Sequence, residues 1–129
     1  MRIAIVGNRD FPQEARGLIY DFIQSLPDDT VVISGGAPGV DKCAEVWAKG
    51  RGLATEIYPA NWEQYGKSAG MIRNREMITA CDRVTAFWNG KSRGTLNSIN
   101  LGKQMRKPTE VMYPSGEVER YNQFCVNLS

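Results

Sequence analysis

Two glycine-rich segments, each directly after an apolar run, carry the strongest chemical signal in this sequence. Residues 34–41 read Ser-Gly-Gly-Ala-Pro-Gly-Val-Asp and follow a β-branched run. Residues 89–95 read Asn-Gly-Lys-Ser-Arg-Gly-Thr and follow a second apolar run. A strand that enters a helix through glycines points backbone N–H groups outward at the helix N-terminus, where they can hold a phosphate or another anion. The two segments therefore predict binding of an anionic, nucleotide-like small molecule.

The first glycine segment supplies five candidate ligand-binding residues. Gly35, Gly36 and Gly39 can take positive φ and let a ligand approach the main chain, or they can form a tight turn without a ligand. Ser34 can donate a hydrogen bond to a phosphate or close the strand. Asp41 can cap the following helix, hold a loop amide, or accept a hydrogen bond from a ribose hydroxyl.

The second glycine segment supplies five more candidates. Its main-chain amides, Gly94 among them, can hold an anion together with the hydroxyls of Ser92 and Thr95. Lys91 or Arg93 can then close over the anion. The alternative is an exposed polar loop in which Thr95 caps the next helix.

The loop after the N-terminal apolar run contributes Gly7, Asn8 and Arg9. Arg9 lies where a phosphate or carboxylate needs a bidentate partner. Asn8 can bind a base or ribose edge, or it can simply turn the chain. These three residues complete the predicted phosphate-binding edge.

A helical segment and a polar-aromatic loop contribute the last two candidates. Arg73 and Arg75 are two positions apart on a predicted helix, so they cannot share one face. We expect Arg73 in the site and Arg75 in a surface ion pair with Glu76 or Asp82. Trp62, in the loop before that helix, is the candidate for stacking on a base.

The composition limits these possibilities. With 129 residues and 42% apolar residues, the chain fits one domain spanning residues 1–129. A net charge of +2 with scattered cations argues against nucleic acid as a partner. Three cysteines without CxxC spacing, no signal peptide and no long apolar run predict a cytoplasmic protein without membrane contact. The chain has no histidine, so neither the commonest general base nor a metal site is expected.

Alternating apolar runs and helical patterns must position these candidates. Strands are predicted at residues 2–6, 31–34, 54–58, 84–88 and 110–113, and helices at 13–26, 41–50, 69–80 and 95–105. Residues 115–129 carry no strong pattern. The alternation predicts a doubly wound, mostly parallel, five-stranded Rossmann-like α/β sheet with helices on both faces. Ligands of such sheets lie beyond the carboxyl ends of the strands, so the loops should meet at one edge.

The motifs together resemble the SLOG superfamily, a Rossmann-like group that includes the lysine-decarboxylase-like LOG phosphoribohydrolases and the DprA/Smf DNA-processing proteins. Residues 6–11 look like its Gly-Ser-Arg-x-Phe opening, with Asn8 in place of serine, and residues 34–41 are similar to its Ser-Gly-Gly-Ala-x-Gly-Val-Asp motif. The small single-domain YspA-like branch is the most similar over residues 59–62, 65–67, 73–77 and 92–95. The resemblance implies a nucleotide-derived ligand and a homodimer.

The resemblance does not carry LOG-type catalysis with it. LOG hydrolases use Pro-Gly-Gly-x-Gly-Thr-x-x-Glu, whose glutamate works at the ribose during N-glycosidic cleavage. Here Ser98 takes the place of that glutamate, and a serine cannot supply the negative charge. The sequence therefore favours a binding protein without catalytic residues over an enzyme.

We expect this protein to sense or sequester a nucleotide such as AMP or an ADP-ribose-like ligand, and no cofactor is identified. Two alternatives stay open. One is a nucleoside-phosphate N-glycosidase that uses Asp10, Asp41 or Glu76. The other is a DprA-like single-stranded DNA binder.

Overall fold

A six-stranded sheet forms the centre of the structure, a computed structural model that describes residues 1–123. In chain order the strands are β1 (Arg2–Gly7), β2 (Val31–Ser34), β3 (Ala54–Ile57), β4 (Arg83–Phe87), β5 (Thr109–Met112) and β6 (Val118–Tyr121). Their order in the sheet is β3-β2-β1-β4-β5-β6, and all neighbours are parallel except β5 and β6. The chain winds outward from β1 in both directions, which confirms the predicted doubly wound Rossmann-like α/β fold.

Helices cover both faces of the sheet, as predicted. Within residues 1–123 they are α1 (Gly17–Gln24), α2 (Val40–Gly50), α3 (Trp62–Tyr65), α4 (Ala69–Ala80) and α5 (Arg93–Gln104). Side chains alternate along a strand, so Ile3 and Ile5 of β1 face α1 and α2, whereas Ala4 and Val6 face α4 and α5. Because a parallel strand is buried on both faces, β1 reads as a continuous apolar run.

The sixth strand corrects the predicted count of five. β6 has only four residues, Val-Glu-Arg-Tyr, and lies antiparallel at the edge of the sheet. Its stability comes from tertiary contacts, among them Arg120, whose Nε donates to the buried carboxylate of Glu110 at 3.2 Å. Such contacts leave no local pattern in so short a charged segment. Residues 124–129, which include Cys125, lie outside the described residues.

Two further segments differ from their predicted form. The helix expected over residues 13–26 is a 3-10 turn at Gln13–Ala15 followed by α1. The polar-aromatic loop contains α3, because the Asn61 side chain accepts a hydrogen bond from the N–H of Gln64 and caps a single helical turn. None of the helices in residues 1–123 is long and apolar enough to cross a membrane.

Candidate functional site

The loops after β1, β2 and β4 enclose a cavity of about 170 Å³ at the carboxyl edge of the sheet. This edge lies where the winding reverses between β1 and β4, and both α2 and α5 begin there. Of the residues predicted from the sequence, seven line the cavity: Gly7, Arg9, Asp41, Arg73, Ser92, Gly94 and Thr95. The other eight predicted residues are placed around it or away from it.

Asn8 joins the three loops instead of facing the cavity. Its backbone N–H donates to the carbonyl of Phe87 at 3.3 Å, and its backbone carbonyl accepts from the N–H of Val40 at 3.1 Å. Its side-chain Oδ1 accepts from the N–H of Asn89 at 3.2 Å. The side chain is almost fully buried by these contacts. Of the two functions left open by the sequence, Asn8 therefore turns and fastens the chain.

The glycines of the first segment make room for neighbouring parts of the protein and not for a ligand. Gly39 has a φ of +90°, and a Cβ there would lie 2.4 Å from the carbonyl oxygen of Arg9. Gly36 also has positive φ, at +72°. Gly35 does not, but a Cβ on it would lie 2.5 Å from Nη1 of Arg73. Gly35 and Gly39 are needed for close packing and Gly36 for its positive φ, and none of the three lines the cavity.

Ser34 closes the same loop from within the protein. Its fully buried hydroxyl accepts a hydrogen bond from the N–H of Gly36 at 3.2 Å and donates to the carbonyl of Asp41 at 3.3 Å. The hydroxyl is thus engaged with the main chain on both sides. This geometry matches the strand-closing function, not donation to a phosphate.

Asp41 has an unusual electrostatic position in the first turn of α2. Its Oδ2 accepts a hydrogen bond from the N–H of Ala37 at 3.3 Å, so it holds a loop amide, whereas Gly39 occupies the N-cap position. The residue is 6% exposed, and its buried Oδ1 has no hydrogen-bond partner in the described structure. Burial raises the pKa of Asp41 to about 6, against the lowering effects of the Ala37 N–H and the positive charge of Arg73.

Arg73 stands between this cavity and a second one. Its Nη1 donates to the carbonyl of Gly35 at 2.9 Å, and its Nε donates to Oδ1 of Asn74 at 3.1 Å. The second cavity, of about 250 Å³, is lined by Arg73 together with Tyr65 and other residues of α3 and α4. The expected surface ion pair of Arg75 with Glu76 or Asp82 is absent from residues 1–123.

The second glycine segment begins α5 with a side-chain cap. The Ser92 hydroxyl accepts a hydrogen bond from the N–H of Thr95 at 3.3 Å, so Ser92, not Thr95, caps the helix. This arrangement leaves the N–H groups of Arg93 and Gly94 in the first turn without intrahelical acceptors. Together with the buried hydroxyl of Thr95, these groups suit an anion at the helix N-terminus.

Three predicted residues lie outside the cavity with exposed side chains. Lys91 and Arg93 do not line it, and that either closes over a bound anion stays a prediction. Trp62 is 60% exposed on α3, and its ring packs near Gly70. Trp62 lines neither the main cavity nor the second one.

Six lining residues were not among the sequence candidates: Val6, Ala37, Pro38, Asn74, Met77 and Ser98. Asn74 is buried and donates to Oδ1 of Asn97 at 3.2 Å and to the carbonyl of Gly94 at 3.4 Å, which ties α4 to α5. The spacing of Asn74, Met77 and Ile78 on one helical face was the available signal for its burial. Ser98, at the LOG glutamate position, donates to the carbonyl of Gly94 at 3.5 Å.

Comparison with known proteins places this geometry in a family. The model of the YspA, cpYpsA-related SLOG family matches residues 1–65. The chain belongs to this SLOG family. A relative, the Gene 61 protein of Mycobacterium phage D29, is 36% identical over 115 residues, which cover 83% of this chain and 92% of that protein.

Solved structures with this fold include two of DNA processing protein A, DprA. The Helicobacter pylori protein superposes with a TM-score of 0.67 at 21% identity, over 87% of this chain and 65% of that one. The Streptococcus pneumoniae protein gives 0.69 at 20% identity, over 87% of this chain and 49% of that one. This SLOG chain thus shares their fold while spanning only part of their length.

These neighbours correct one expectation drawn from the composition. The Helicobacter pylori structure is described as showing a unique single-stranded DNA binding mode, so the argument against nucleic acid as a partner of this fold is wrong. The low net charge was a poor basis for excluding nucleic acid. Single-strand binding depends on a local groove and on base stacking, which the total charge of a protein does not report. The comparisons give no support for the expected homodimer.

The raised pKa of Asp41 predicts a pH-dependent stability difference. In the folded state Asp41 holds its proton up to about pH 6, so ionisation between about pH 4 and about pH 7 lowers the free energy of unfolding. Asp41→Asn cannot ionise. We expect the stability of Asp41→Asn relative to wild type to increase by about 2–3 kcal/mol over that pH range.

Thermal denaturation of both proteins across the pH range measures this difference, with the exposed Asp21→Asn as the matched control. The control should follow wild type. A constant difference between Asp41→Asn and wild type at every pH would contradict the assignment.

Proposed function

We propose that the protein binds a nucleotide-derived, phosphate-bearing small molecule in the cavity at the carboxyl edge of the sheet. One observation carries the proposal. The N-terminal turn of α5, Arg9 and Arg73 line the same cavity, which lies at the switch point of the sheet. Helix N–H groups and arginines both favour phosphate, and their convergence on one small space supports a single bound phosphate group.

The volume of the main cavity indicates which part of a nucleotide it can hold. Sites for complete small ligands usually measure about 300–1,000 Å³, so a cavity of about 170 Å³ suits a ribose phosphate better than an entire nucleotide. The base would extend past Arg73 toward the second cavity. There Asn61, Gln64 and Tyr65 offer amide and aromatic groups for a heterocycle.

The acidic residues support binding more than hydrolysis. Within residues 1–123, Asp41 is the one carboxylate among the lining residues, whereas Asp10 and Glu76 lie outside the main cavity. Ser98 occupies the position of the LOG glutamate and offers a hydroxyl without charge. A protein that senses or sequesters the nucleotide fits this arrangement best.

Replacement of one arginine tests the proposal directly. Arg9 is exposed and lines the cavity, so Arg9→Gln should fold normally and weaken AMP binding by about tenfold, the usual effect of losing one charged hydrogen bond. The measurement is the AMP-dependent rise in melting temperature, because ligand at about 100 times its Kd adds about 2.7 kcal/mol of stability.

Arg75→Gln is the matched control, since Arg75 is exposed and does not line the main cavity. Its response to AMP should equal that of wild type. Failure of AMP and ADP-ribose to stabilise even the wild-type protein at millimolar concentration would overturn the proposed function.

A second candidate function is single-stranded DNA binding. It is favoured by the shared fold with DprA, for which a single-stranded DNA binding mode is described. Trp62 and Tyr65, 60% and 41% exposed on α3, could stack on successive bases beside the second cavity. Base stacking on aromatic side chains gives affinity without sequence preference.

Fluorescence anisotropy of a labelled oligothymidylate at low salt tests this candidate. Under this function Trp62→Ala should weaken binding by about fivefold or more, the effect of losing one stacked base. Tyr20→Ala, an exposed aromatic on α1, is the control and should bind like wild type. No change in anisotropy for the wild-type protein would exclude DNA binding.

A further inference from the structure

The carboxylate of Asp41 carries a further inference because one of its oxygens lacks a partner. Asp41 is 6% exposed and lines the main cavity, and Oδ1 is buried without a hydrogen bond. A buried unsatisfied acceptor costs about 1–3 kcal/mol, so a donor at this position would be strongly favoured. The site is therefore complementary to a ligand that has both an anionic group and a hydrogen-bond donor.

The other oxygen of the carboxylate contacts the loop. Oδ2 accepts a hydrogen bond from the N–H of Ala37 at 3.3 Å. The lack of a side chain at Gly35 leaves room for this oxygen, because a Cβ there would lie 3.0 Å from it. The nearby Arg73 donates to the carbonyl of Gly35 and not to Oδ1. The hydrogen bond through Oδ2 thus orients the side chain between the loop and α2.

The chemistry of a nucleotide indicates which group fits Oδ1. The phosphate dianion, the main form of a nucleotide phosphate at neutral pH, has no proton to donate and is repelled by a carboxylate. A base does not fit beside a phosphate in a cavity of about 170 Å³. The sugar hydroxyls are the donors nearest to a 5′-phosphate, and a hydroxyl donates readily to a carboxylate.

We infer that Asp41 is a specificity residue that accepts a hydrogen bond from a ribose hydroxyl, so that the site selects ribonucleotides over analogues lacking the sugar hydroxyls. This inference rests on the proposed function. It assigns two tasks to the residues of one cavity. The α5 N-terminus and the arginines bind the phosphate, and Asp41, which lies beside Arg73, accepts a hydrogen bond from the sugar.

Calorimetric titration of the wild-type protein with AMP and with 2′,3′-dideoxy-AMP tests the inference. We expect AMP to bind about tenfold tighter or more, the usual effect of a hydrogen bond to a charged group. The 2′-deoxy and 3′-deoxy nucleotides then show which hydroxyl Asp41 accepts from. Asp41→Asn should reduce the preference to about threefold or less, and Asp21→Asn should keep it.

The outcomes distinguish failure of this inference from failure of the proposed nucleotide binding. If AMP and its dideoxy analogue bind wild type with similar affinity, the inference is overturned and nucleotide binding stands. If neither binds, nucleotide binding fails and the inference fails with it. Because the comparison of ligands uses wild-type protein, it decides the question even if Asp41→Asn does not fold.

Discussion

Three loops pack closely at the carboxyl edge of the sheet, and this packing positions the residues that line the cavity. Asn8 joins them through two backbone hydrogen bonds and one from its side chain. Gly39 lets the second loop lie directly on the first, where a Cβ would meet the carbonyl of Arg9 at 2.4 Å. Without this contact α2 would begin farther from β1, and Asp41 would leave the cavity. Gly35, Gly36 and Gly39 of this SLOG chain thus shape the site without forming its lining.

The same packing brings positive groups and one carboxylate to a single cavity. The parallel sheet directs the N-terminus of α5 toward the cavity, where Arg9 and Arg73 add positive charge. Asp41 lies beside Arg73, and burial raises the pKa of Asp41 to about 6. A ligand that is only an anion would be attracted by the positive groups and repelled by this carboxylate. A ribose phosphate has the complementary distribution of charge and donors.

Much of the fold could be predicted because it follows from local periodicity. Apolar runs identified β1, β2 and β4, and the strands predicted at residues 54–58 and 110–113 overlap β3 and β5. The helix expected over residues 69–80 coincides with α4. β6 depends on the pairing of Arg120 with Glu110, which no local pattern records. In the site, residue type was enough to predict Arg9 and Asp41 as site residues, and both line the cavity. For Asn8, residue type left two possible functions open. Its hydrogen bond to Asn89, 81 positions away, decides between them and exists only after folding.

An amide-resolved NMR titration with AMP locates the bound nucleotide on the chain. We expect the largest shifts of backbone N–H signals at Ala37, Gly94 and Thr95, which surround the cavity. The amides of α1, on the far face of the sheet, should not move. Shifts centred on another surface, or none at saturating AMP, would contradict a nucleotide site at this edge.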